Sequence, residues 1–280
     1  MKILIAGHKG MLGTALQCVL RDHFDLFGAD LPDYDLSNHR VINKLIEDLN
    51  PNVMINAAAY TDVDGCESAA ERAMTVNAEI PGLLAEACAK NDIRLIHIST
   101  DYVFDGAKAG PYTEEDLPNP ISIYGKSKLE GDLRIMQTRG LRYLILRTAW
   151  LFGPGGKNFV DAIQKAAASK PMLEVVDDQV GCPTFSMDLA QAIKCAIERN
   201  LTGLFNAVSS GQVTWYEFAK EILALKHIDM PVYPISSEKL ARPAKRPANS
   251  VLDASKLIAM LEWKFPYWKE GLKRYLKECR

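Results

Sequence analysis

The sequence predicts an α/β fold, a doubly wound parallel sheet with a smaller, interleaved C-terminal lobe. Two observations predict it. Short runs rich in Ile, Leu and Val alternate with helical segments through the first half of the 280 residues. This alternation is typical of βαβ units with helices on both faces of a sheet. After Trp150 the alternation weakens, and proline-rich stretches follow at 231–234 and 242–247, which indicates a less regular second lobe.

The element order follows from these patterns. We expect strands at Lys2–Ala6, Phe24–Ala29, Val53–Ala57, Arg94–Ser99 and Arg142–Arg147. We expect helices at Met11–Asp22, Ser37–Leu49 with Ser37 as N-cap, Ser68–Lys90 and Ser122–Thr138. The second half should hold helices at Phe159–Ser169, Ser186–Arg199 and Pro266–Cys279, an extended segment at Leu173–Val176, and a late strand at Gly203–Val208. The late strand should rejoin the main sheet. The first domain is therefore expected at 1–150, rejoined by about 201–228, and the second lobe mainly at 151–280.

Composition excludes several classes of protein. The formal net charge is −2, with 48% hydrophobic and 24% charged residues, so neither a nucleic-acid nor a membrane-surface partner is expected. No apolar run approaches the ~20 residues of a membrane span, and the N-terminus lacks a secretory pattern, so we expect a cytoplasmic protein. The scattered cysteines, without a CxxC pair, predict reduced core thiols rather than disulfides or zinc ligands: Cys18, Cys66, Cys88, Cys182, Cys195 and Cys279.

A glycine loop joins the first predicted strand to the first predicted helix. Its residues include Gly7, Gly10, Met11, Leu12 and Gly13, with the spacing GxxGxxG. Glycines permit a tight turn and let backbone N–H groups approach a pyrophosphate, and the helix N-terminus adds partial positive charge. At the start of a βαβ array this pattern predicts a Rossmann-type dinucleotide-binding domain.

Three further segments are expected near the cofactor. Asp30 ends the second strand at about the offset of an acid that bonds the adenosine ribose, an arrangement that favours NADH because a carboxylate repels a 2′-phosphate. Lys9 could offset that repulsion, so NADH or NADPH stays open. The other two segments are Asp35 with Leu36, and Ala59, Tyr60 and Thr61, where small residues leave the third strand.

Tyr124 and Lys128 form the predicted catalytic pair. Four residues apart on a helix, they share one face. An ammonium beside a phenol lowers the phenol's pKa from about 10, so that Tyr124 can exchange a proton with a carbonyl or alcohol. Thr100 follows the fourth strand and could bond the reacting oxygen. Alternation along that strand turns its neighbour Ser99 away.

Substrate-binding candidates lie beyond these strands. Trp150 follows the fifth strand, where an aromatic ring can pack against a sugar, although a core tryptophan is the alternative. Arg242, Lys245 and Arg246 could meet a diphosphate, although a solvated charge cluster explains them equally well.

Seven strings together resemble the extended short-chain dehydrogenase/reductase superfamily: GHKGMLG, INAAAYTDVDGCE, STDYVFDG, YGKSK, LRTAWLFG, DDQVGCPT and RPAKRPANSVLD. More closely, the chain resembles the reductases that complete dTDP-L-rhamnose synthesis, over residues 7 to about 253. The resemblance implies NAD(P)H-dependent reduction of the 4-keto group of dTDP-4-dehydro-6-deoxy-L-mannose. It implies Thr100, Tyr124 and Lys128 as the catalytic set, Tyr124 and Lys128 also at the cofactor, and Thr100, Asp101 and Trp150 at the sugar nucleotide.

The remaining alternatives are distinguishable. A 4,6-dehydratase of this superfamily needs a carboxylate after Asp101, where this chain has Tyr102. An epimerase or another 4-ketoreductase is compatible with the spacing, and a non-catalytic dinucleotide-binding regulatory subunit shares the fold. Some relatives bind magnesium through glutamates at a dimer interface, one of them where this chain has Ala15. No metal site is therefore expected, and either a monomer or a homodimer is possible.

Overall fold

The computed structural model describes residues 1–278, so the prediction made for Cys279 lies outside the described residues. The strands are β1 Lys2–Ala6, β2 Asp25–Ala29, β3 Val53–Asn56, β4 Arg94–Thr100, β5 Tyr143–Thr148, β6 Leu151–Phe152, β7 Leu173–Val176, β8 Val180–Gly181, β9 Thr184–Phe185, β10 Gly203–Asn206, β11 Val213–Thr214 and β12 Val232–Ile235. The helices are α1 Met11–Leu20, α2 His39–Leu49, α3 Val63–Ser68, α4 Ala70–Met74, α5 Ile80–Lys90, α6 Ile123–Gln137, α7 Phe159–Ala167, α8 Ser186–Glu198, α9 Trp215–Leu225, α10 Ser237–Leu240, α11 Ser255–Leu261 and α12 Trp268–Glu278.

Six strands form the central sheet in the order β2-β1-β3-β4-β5-β10, and every neighbouring pair is parallel. This confirms the predicted doubly wound fold. The strand order reverses direction between β1 and β3, and ligands of such sheets bind at that switch point, beyond the carboxyl ends of the strands. The predicted late strand lies beside β5 at this sheet's edge.

Helices cover both faces of the sheet because successive side chains of each strand point to opposite sides. Ile3 and Ile5 of β1 pack in a core with residues of α1, α8 and α11. Leu4 and Ala6 pack on the other face with residues of α2, α5 and α6. The all-apolar strands predicted from the sequence are therefore buried on two sides.

The second lobe has its own aromatic core. Phe152, Phe185, Phe218 and Trp268 are buried together, with α7, α9 and α12 contributing to the same cluster. Two short pairs, β7 with β12 and β6 with β9, are parallel, and β8 pairs antiparallel with β11. In the described residues no helix is long and apolar enough to cross a bilayer.

Several predicted boundaries were wrong for local reasons. Asn38, not Ser37, caps α2, because the Asn38 side chain accepts from the Arg40 N–H while the Ser37 hydroxyl donates to Asp35. The long helix predicted at Ser68–Lys90 is divided into α4, a π-helical segment at Thr75–Glu79, and α5, and the separate helix α3 precedes it. Helix α9 was missed, although Thr214 and Glu217 form a capping box at its start.

The cysteine prediction holds for most of the described thiols. Cys66, Cys88, Cys182 and Cys195 are free and buried, whereas Cys18 is free but exposed. The expectation that all thiols lie in the core was wrong for Cys18, which lies on the outer side of α1.

Candidate active site

The glycine loop leaves β1 and packs against the end of β3. Gly7 has φ +82°, and a Cβ there would lie 2.6 Å from the Ala58 backbone nitrogen, so only glycine fits this turn. Gly10 is the N-cap of α1 and supplies no side-chain hydrogen bond. The first N–H groups of α1, from Met11, Leu12 and Gly13, are consequently available to an anion at the switch point.

Asp30 lies beside this loop, just past β2. Its Oδ2 accepts a 2.8 Å hydrogen bond from the Lys9 backbone N–H and lies 3.4 Å from His8 Nδ1. The Lys9 ammonium is turned to Asp33, at 3.1 Å. The carboxylate of Asp30 therefore orders the loop, and the Lys9 charge expected to offset it is paired elsewhere.

The other predicted cofactor segments end at the same edge of the sheet. Asp35 accepts hydrogen bonds from the Ser37 hydroxyl and N–H, which lower the pKa of Asp35. Leu36 is buried in the core with Leu4 and Leu84, and its contact with an adenine stays a prediction.

Asn77 fixes the segment from Ala59 to Thr61. Its Oδ1 accepts from the Tyr60 N–H at 2.8 Å, and its Nδ2 donates to the Tyr60 carbonyl at 3.0 Å and to the Ser127 hydroxyl at 3.0 Å. The π-helical segment carries this buried amide. One side chain thus joins the end of β3 to α6.

Thr100 and Asp101 end β4 at the carboxyl edge. The Thr100 hydroxyl donates to Asp101 Oδ1 at 2.9 Å. Asp101 is 2% exposed, and burial raises the pKa of its carboxyl to about 7, although the Ser250 and Thr100 hydroxyls oppose this effect. Within residues 1–278 its Oδ2 is buried without a hydrogen-bond partner.

Tyr124 begins α6 beside Thr100. Ser122 caps this helix by accepting from the Gly125 N–H. A Cβ on Gly125 would lie 2.1 Å from the Tyr102 carbonyl oxygen, so this glycine allows α6 to approach the end of β4. The Tyr124 ring meets the Tyr102 ring edge-on, with centroids 5.7 Å apart.

The expected lowering of the Tyr124 pKa was wrong. Burial raises this pKa above its ordinary value, although a hydrogen bond with Thr100 opposes the effect. The reason lies in Lys128, whose Nζ donates to the Ile98 carbonyl at 2.7 Å and lies 3.1 Å from His97 Nε2. No hydrogen bond joins Lys128 to the Tyr124 hydroxyl in the described part of the chain.

A buried polar cluster lies behind Lys128, formed by Asn56, His97, Ser99, Asp132 and Arg147. Ser99 donates to Asp132 Oδ2 at 2.7 Å, which confirms that this hydroxyl turns away from Thr100. Arg147 Nε lies 3.7 Å from the same oxygen. Burial lowers the pKa of Lys128 to about 8, against the opposing charge of Asp132.

Trp150 lies just past β5 in a left-handed conformation, φ 46°. Its ring stacks on Trp215 with centroids 3.4 Å apart and an interplanar angle of 5°. Trp215 in turn donates from Nε1 to Gln179 at 3.2 Å. The half-buried tryptophan pair forms an apolar wall between the two lobes.

The cationic candidates in the second lobe face a first-lobe carboxylate. Arg246 Nη1 and Nη2 each donate to one oxygen of Asp64 at 3.0 Å, and Arg242 adds a contact at 3.4 Å. These arginines lower the pKa of Asp64 against the effect of its partial burial. The Arg246 guanidinium also opposes the burial that raises the pKa of the Tyr102 side chain. With Lys245 both arginines line a cavity of about 330 Å³.

Sequence reasoning missed several residues of this region: Asp64, Asn77, His97, Asp132, Arg147 and Trp215. One signal was available for Asp132, which follows Tyr124 and Lys128 at the next i+4 position on the same helical face. Another was available for Asn77, an amide inside an apolar helical run. The others depend on contacts across the fold, such as the ion pair from Asp64 to Arg246.

A parallel sheet with a glycine loop at its switch point, and a Thr, Tyr and Lys set beyond its next strands, is the arrangement of the short-chain dehydrogenase/reductases. These proteins are dinucleotide-dependent oxidoreductases. The chain belongs to the family described as RmlD substrate binding domain, whose model matches residues 1–280.

Individual relatives match over nearly the full length. A dTDP-4-dehydrorhamnose reductase of Sinorhizobium fredii is 36% identical over 285 residues, covering 98% of this chain and 96% of the relative. The crystal structure of a dTDP-4-dehydrorhamnose reductase from Clostridium acetobutylicum has a TM-score of 0.96 at 40% identity, covering 100% of this chain and 99% of that one. That of the Bacillus anthracis dTDP-4-dehydrorhamnose reductase in complex with NADP has a TM-score of 0.95 at 33% identity, covering 99% of each chain.

Proposed function

We propose that this protein reduces the 4-keto group of dTDP-4-dehydro-6-deoxy-L-mannose to give dTDP-L-rhamnose, with NADH or NADPH as reductant. The observation that carries the proposal is the placement of Tyr124 against the end of β4, where Thr100 bonds the buried acid Asp101 and the Tyr124 ring meets that of Tyr102. The full-length similarity to dTDP-4-dehydrorhamnose reductases supports the choice of substrate. We further propose that residues 1–150, rejoined by about 201–228, bind the cofactor, and that 151–280 mainly bind the sugar nucleotide.

The residues at the switch point fit a dinucleotide. The glycine loop turns tightly at Gly7, where a Cβ would collide with the Ala58 backbone, and the uncapped start of α1 suits a pyrophosphate. Asp30 would bond the ribose hydroxyls, and its charge disfavours a 2′-phosphate because Lys9 is paired with Asp33. The bound nicotinamide would supply a hydride to the ketone carbon.

We assign proton transfer to Tyr124. Since burial raises its pKa, the phenol is protonated at neutral pH and can donate to the oxygen that gains negative charge. Thr100 stands beside it as a second hydroxyl able to bond that oxygen. Lys128, which lies on the buried side of α6 in the ligand-free structure, would bond the nicotinamide ribose when the cofactor binds.

The sugar nucleotide would lie between the lobes. Asp101 Oδ2, which is buried without a partner in the described residues, can bond a sugar hydroxyl, and its raised pKa of about 7 lets it donate as well as accept. The wall formed by Trp150 and Trp215 suits the apolar face of a sugar ring.

Tyr102 argues against dehydration. A dehydratase needs a base at this position, but burial raises the pKa of Tyr102 above its ordinary value, with the charge of Asp101 adding to the effect. A protonated phenol cannot remove a carbon-bound proton. Reduction is therefore the better-supported reaction.

The decisive experiment compares Tyr124→Phe with Tyr233→Phe, the same change at an exposed site on β12. With NADH and the 4-keto sugar nucleotide, Tyr124→Phe should lose turnover by ~100-fold or more with little change in cofactor affinity, because only the proton donor is removed. Tyr233→Phe should match the parent. Near-normal turnover in Tyr124→Phe would refute the assignment of the acid.

A substrate panel separates the alternative functions. Oxidation of NADH and NADPH is followed with several nucleotide-linked 4-keto sugars. Faster turnover of a different sugar nucleotide would show that the protein is a 4-ketoreductase with another substrate. Epimerised product without net cofactor oxidation would indicate an epimerase, and cofactor binding without any turnover would indicate a regulatory subunit.

A further inference from the structure

His97 lies at the centre of the buried polar cluster and has no role in the mechanism above. It is fully buried on β4, between Asn56 on β3 and Lys128 on α6. Its Nδ1 lies 3.1 Å from Asn56 Nδ2, and its Nε2 lies 3.1 Å from Lys128 Nζ. These two contacts determine which ring nitrogen carries the proton.

Asn56 sets the tautomer. Its Oδ1 accepts the Ala58 N–H at 3.2 Å, which orients the amide so that its NH₂ group faces His97. An NH₂ group only donates, so His97 Nδ1 must accept and carries no hydrogen. Burial lowers the pKa of His97 well below its ordinary value. The neutral ring therefore has its hydrogen on Nε2.

That hydrogen points to Lys128. Asp132 Oδ1, the other neighbour of Nε2, is 3.7 Å away, too far for a hydrogen bond. An ammonium has no lone pair to accept the Nε2–H, whereas an unprotonated amine has one and can still donate to the Ile98 carbonyl. The short contact at 3.1 Å is satisfied only by the amine.

The surrounding charges agree with an amine. The groups facing Lys128 are Asp132 on its own helix, His97 and Ser99 on β4, and Arg147 on β5, which Glu114 also influences. Asp132 and Arg147 already balance each other at 3.7 Å. A second cation at Lys128, 1% exposed, would have to share the single Asp132 carboxylate with Arg147 in the interior.

We infer that His97 is a positioning residue: with its tautomer fixed by Asn56, it donates to Lys128 in its unprotonated form, and at alkaline pH it holds that amine on the buried side of α6 in the ligand-free protein. Lys128 acts as an ammonium only after it leaves His97 and takes up a proton. The inference rests on the proposed function in one respect. Lys128 would bond the nicotinamide ribose only after its contact with His97 is broken.

The test uses ligand-free protein, so its failure is distinct from failure of the proposed function. Nuclear magnetic resonance of ring-¹⁵N histidine and ¹³Cε lysine reports tautomer and charge, with the His97 and Lys128 signals identified by their loss in His97→Gln and Lys128→Arg. His97 should show an unprotonated Nδ1 and a protonated Nε2. The Lys128 signal should titrate with a midpoint near its pKa of about 8. A protonated Nδ1, or a Lys128 that stays an ammonium up to the usual lysine range, would overturn the inference.

Asn56→Asp tests the tautomer directly. The carboxylate keeps the acceptor for Ala58 and accepts a hydrogen from His97 Nδ1, so Nε2 becomes an acceptor that favours an ammonium. The ring signals should exchange tautomers, and the Lys128 midpoint should rise by at least about one pH unit. His97→Gln, which keeps an N–H donor, should leave the midpoint nearly unchanged.

Asn52→Asp is the matched control, the same change just before β3 at an exposed residue whose Oδ1 accepts from Lys2. It should leave both signals unaltered. A midpoint that rises in Asn56→Asp without any change of tautomer would show that added charge alone acts on Lys128, and would contradict the role of His97.

Discussion

Replacing Asp101 by Asn tests the buried acid that follows Thr100 at the end of β4. Burial raises the pKa of Asp101 from its ordinary value of 3.8 to about 7. The unfolded chain then loses this proton near pH 4 and the folded protein only near pH 7. Stability therefore falls as pH rises across this interval and stays reduced above it, by about 4 kcal/mol in full. Asn keeps an acceptor for the Thr100 hydroxyl but has no proton to lose.

The variant should consequently gain stability relative to the parent as pH rises. From these pKa values, the difference in unfolding free energy between Asp101→Asn and the parent should increase by about 2–3 kcal/mol between about pH 5 and about pH 8. Urea denaturation at both pH values measures it. In Asp105→Asn, where hydrogen bonds lower the carboxyl pKa, the difference should be the same at both pH values. An equally pH-independent result for Asp101→Asn would refute the raised pKa.

Three other outcomes follow from contacts in the site. Asp30→Asn keeps an acceptor for the Lys9 N–H but removes the charge that repels a 2′-phosphate. The ratio of kcat/KM for NADPH to kcat/KM for NADH should therefore rise about tenfold. An unchanged ratio would show that Asp30 does not face the ribose. Asp64→Asn and Arg246→Gln should couple by about 1–3 kcal/mol in a double-mutant cycle of unfolding free energies, and additive effects would contradict the bidentate pair. Incubation with dTDP-glucose and NAD should leave the sugar unchanged because the protonated Tyr102 cannot act as the base. A 4-keto-6-deoxy product would instead show that a carboxylate such as Glu114 or Asp105 is the base for dehydration.

Periodicity was sufficient for the central sheet because its strands are short runs rich in apolar residues that alternate with helical segments along the chain. The second lobe was harder to predict, since β6, β8, β9 and β11 are two residues long and too short to show alternation. The π-helical segment was missed for another reason: Asn77 satisfies its amide through Tyr60 and Ser127, residues distant in sequence.

The candidate site divides in the same way. Thr100, Tyr124 and Lys128 could be predicted because their chemistry depends on local spacing and on the end of a strand. Their charge states could not, because they depend on burial and on partners from other elements. Lys128 illustrates this, since His97 contacts it from β4 and the charge of Asp132 acts on it from the same helix.

The return of the chain to the main sheet constrains how such proteins can be recombined. Helix α8 packs its Leu189 and Ile193 in the core shared with Leu16 of α1, and β10 then extends the sheet beyond β5. A fragment ending at Trp150 would expose that face and lose an edge strand. Chimeras that exchange the second lobe between relatives should therefore leave α8, β10 and also α11, which packs in the same core, with the parent that supplies the central sheet.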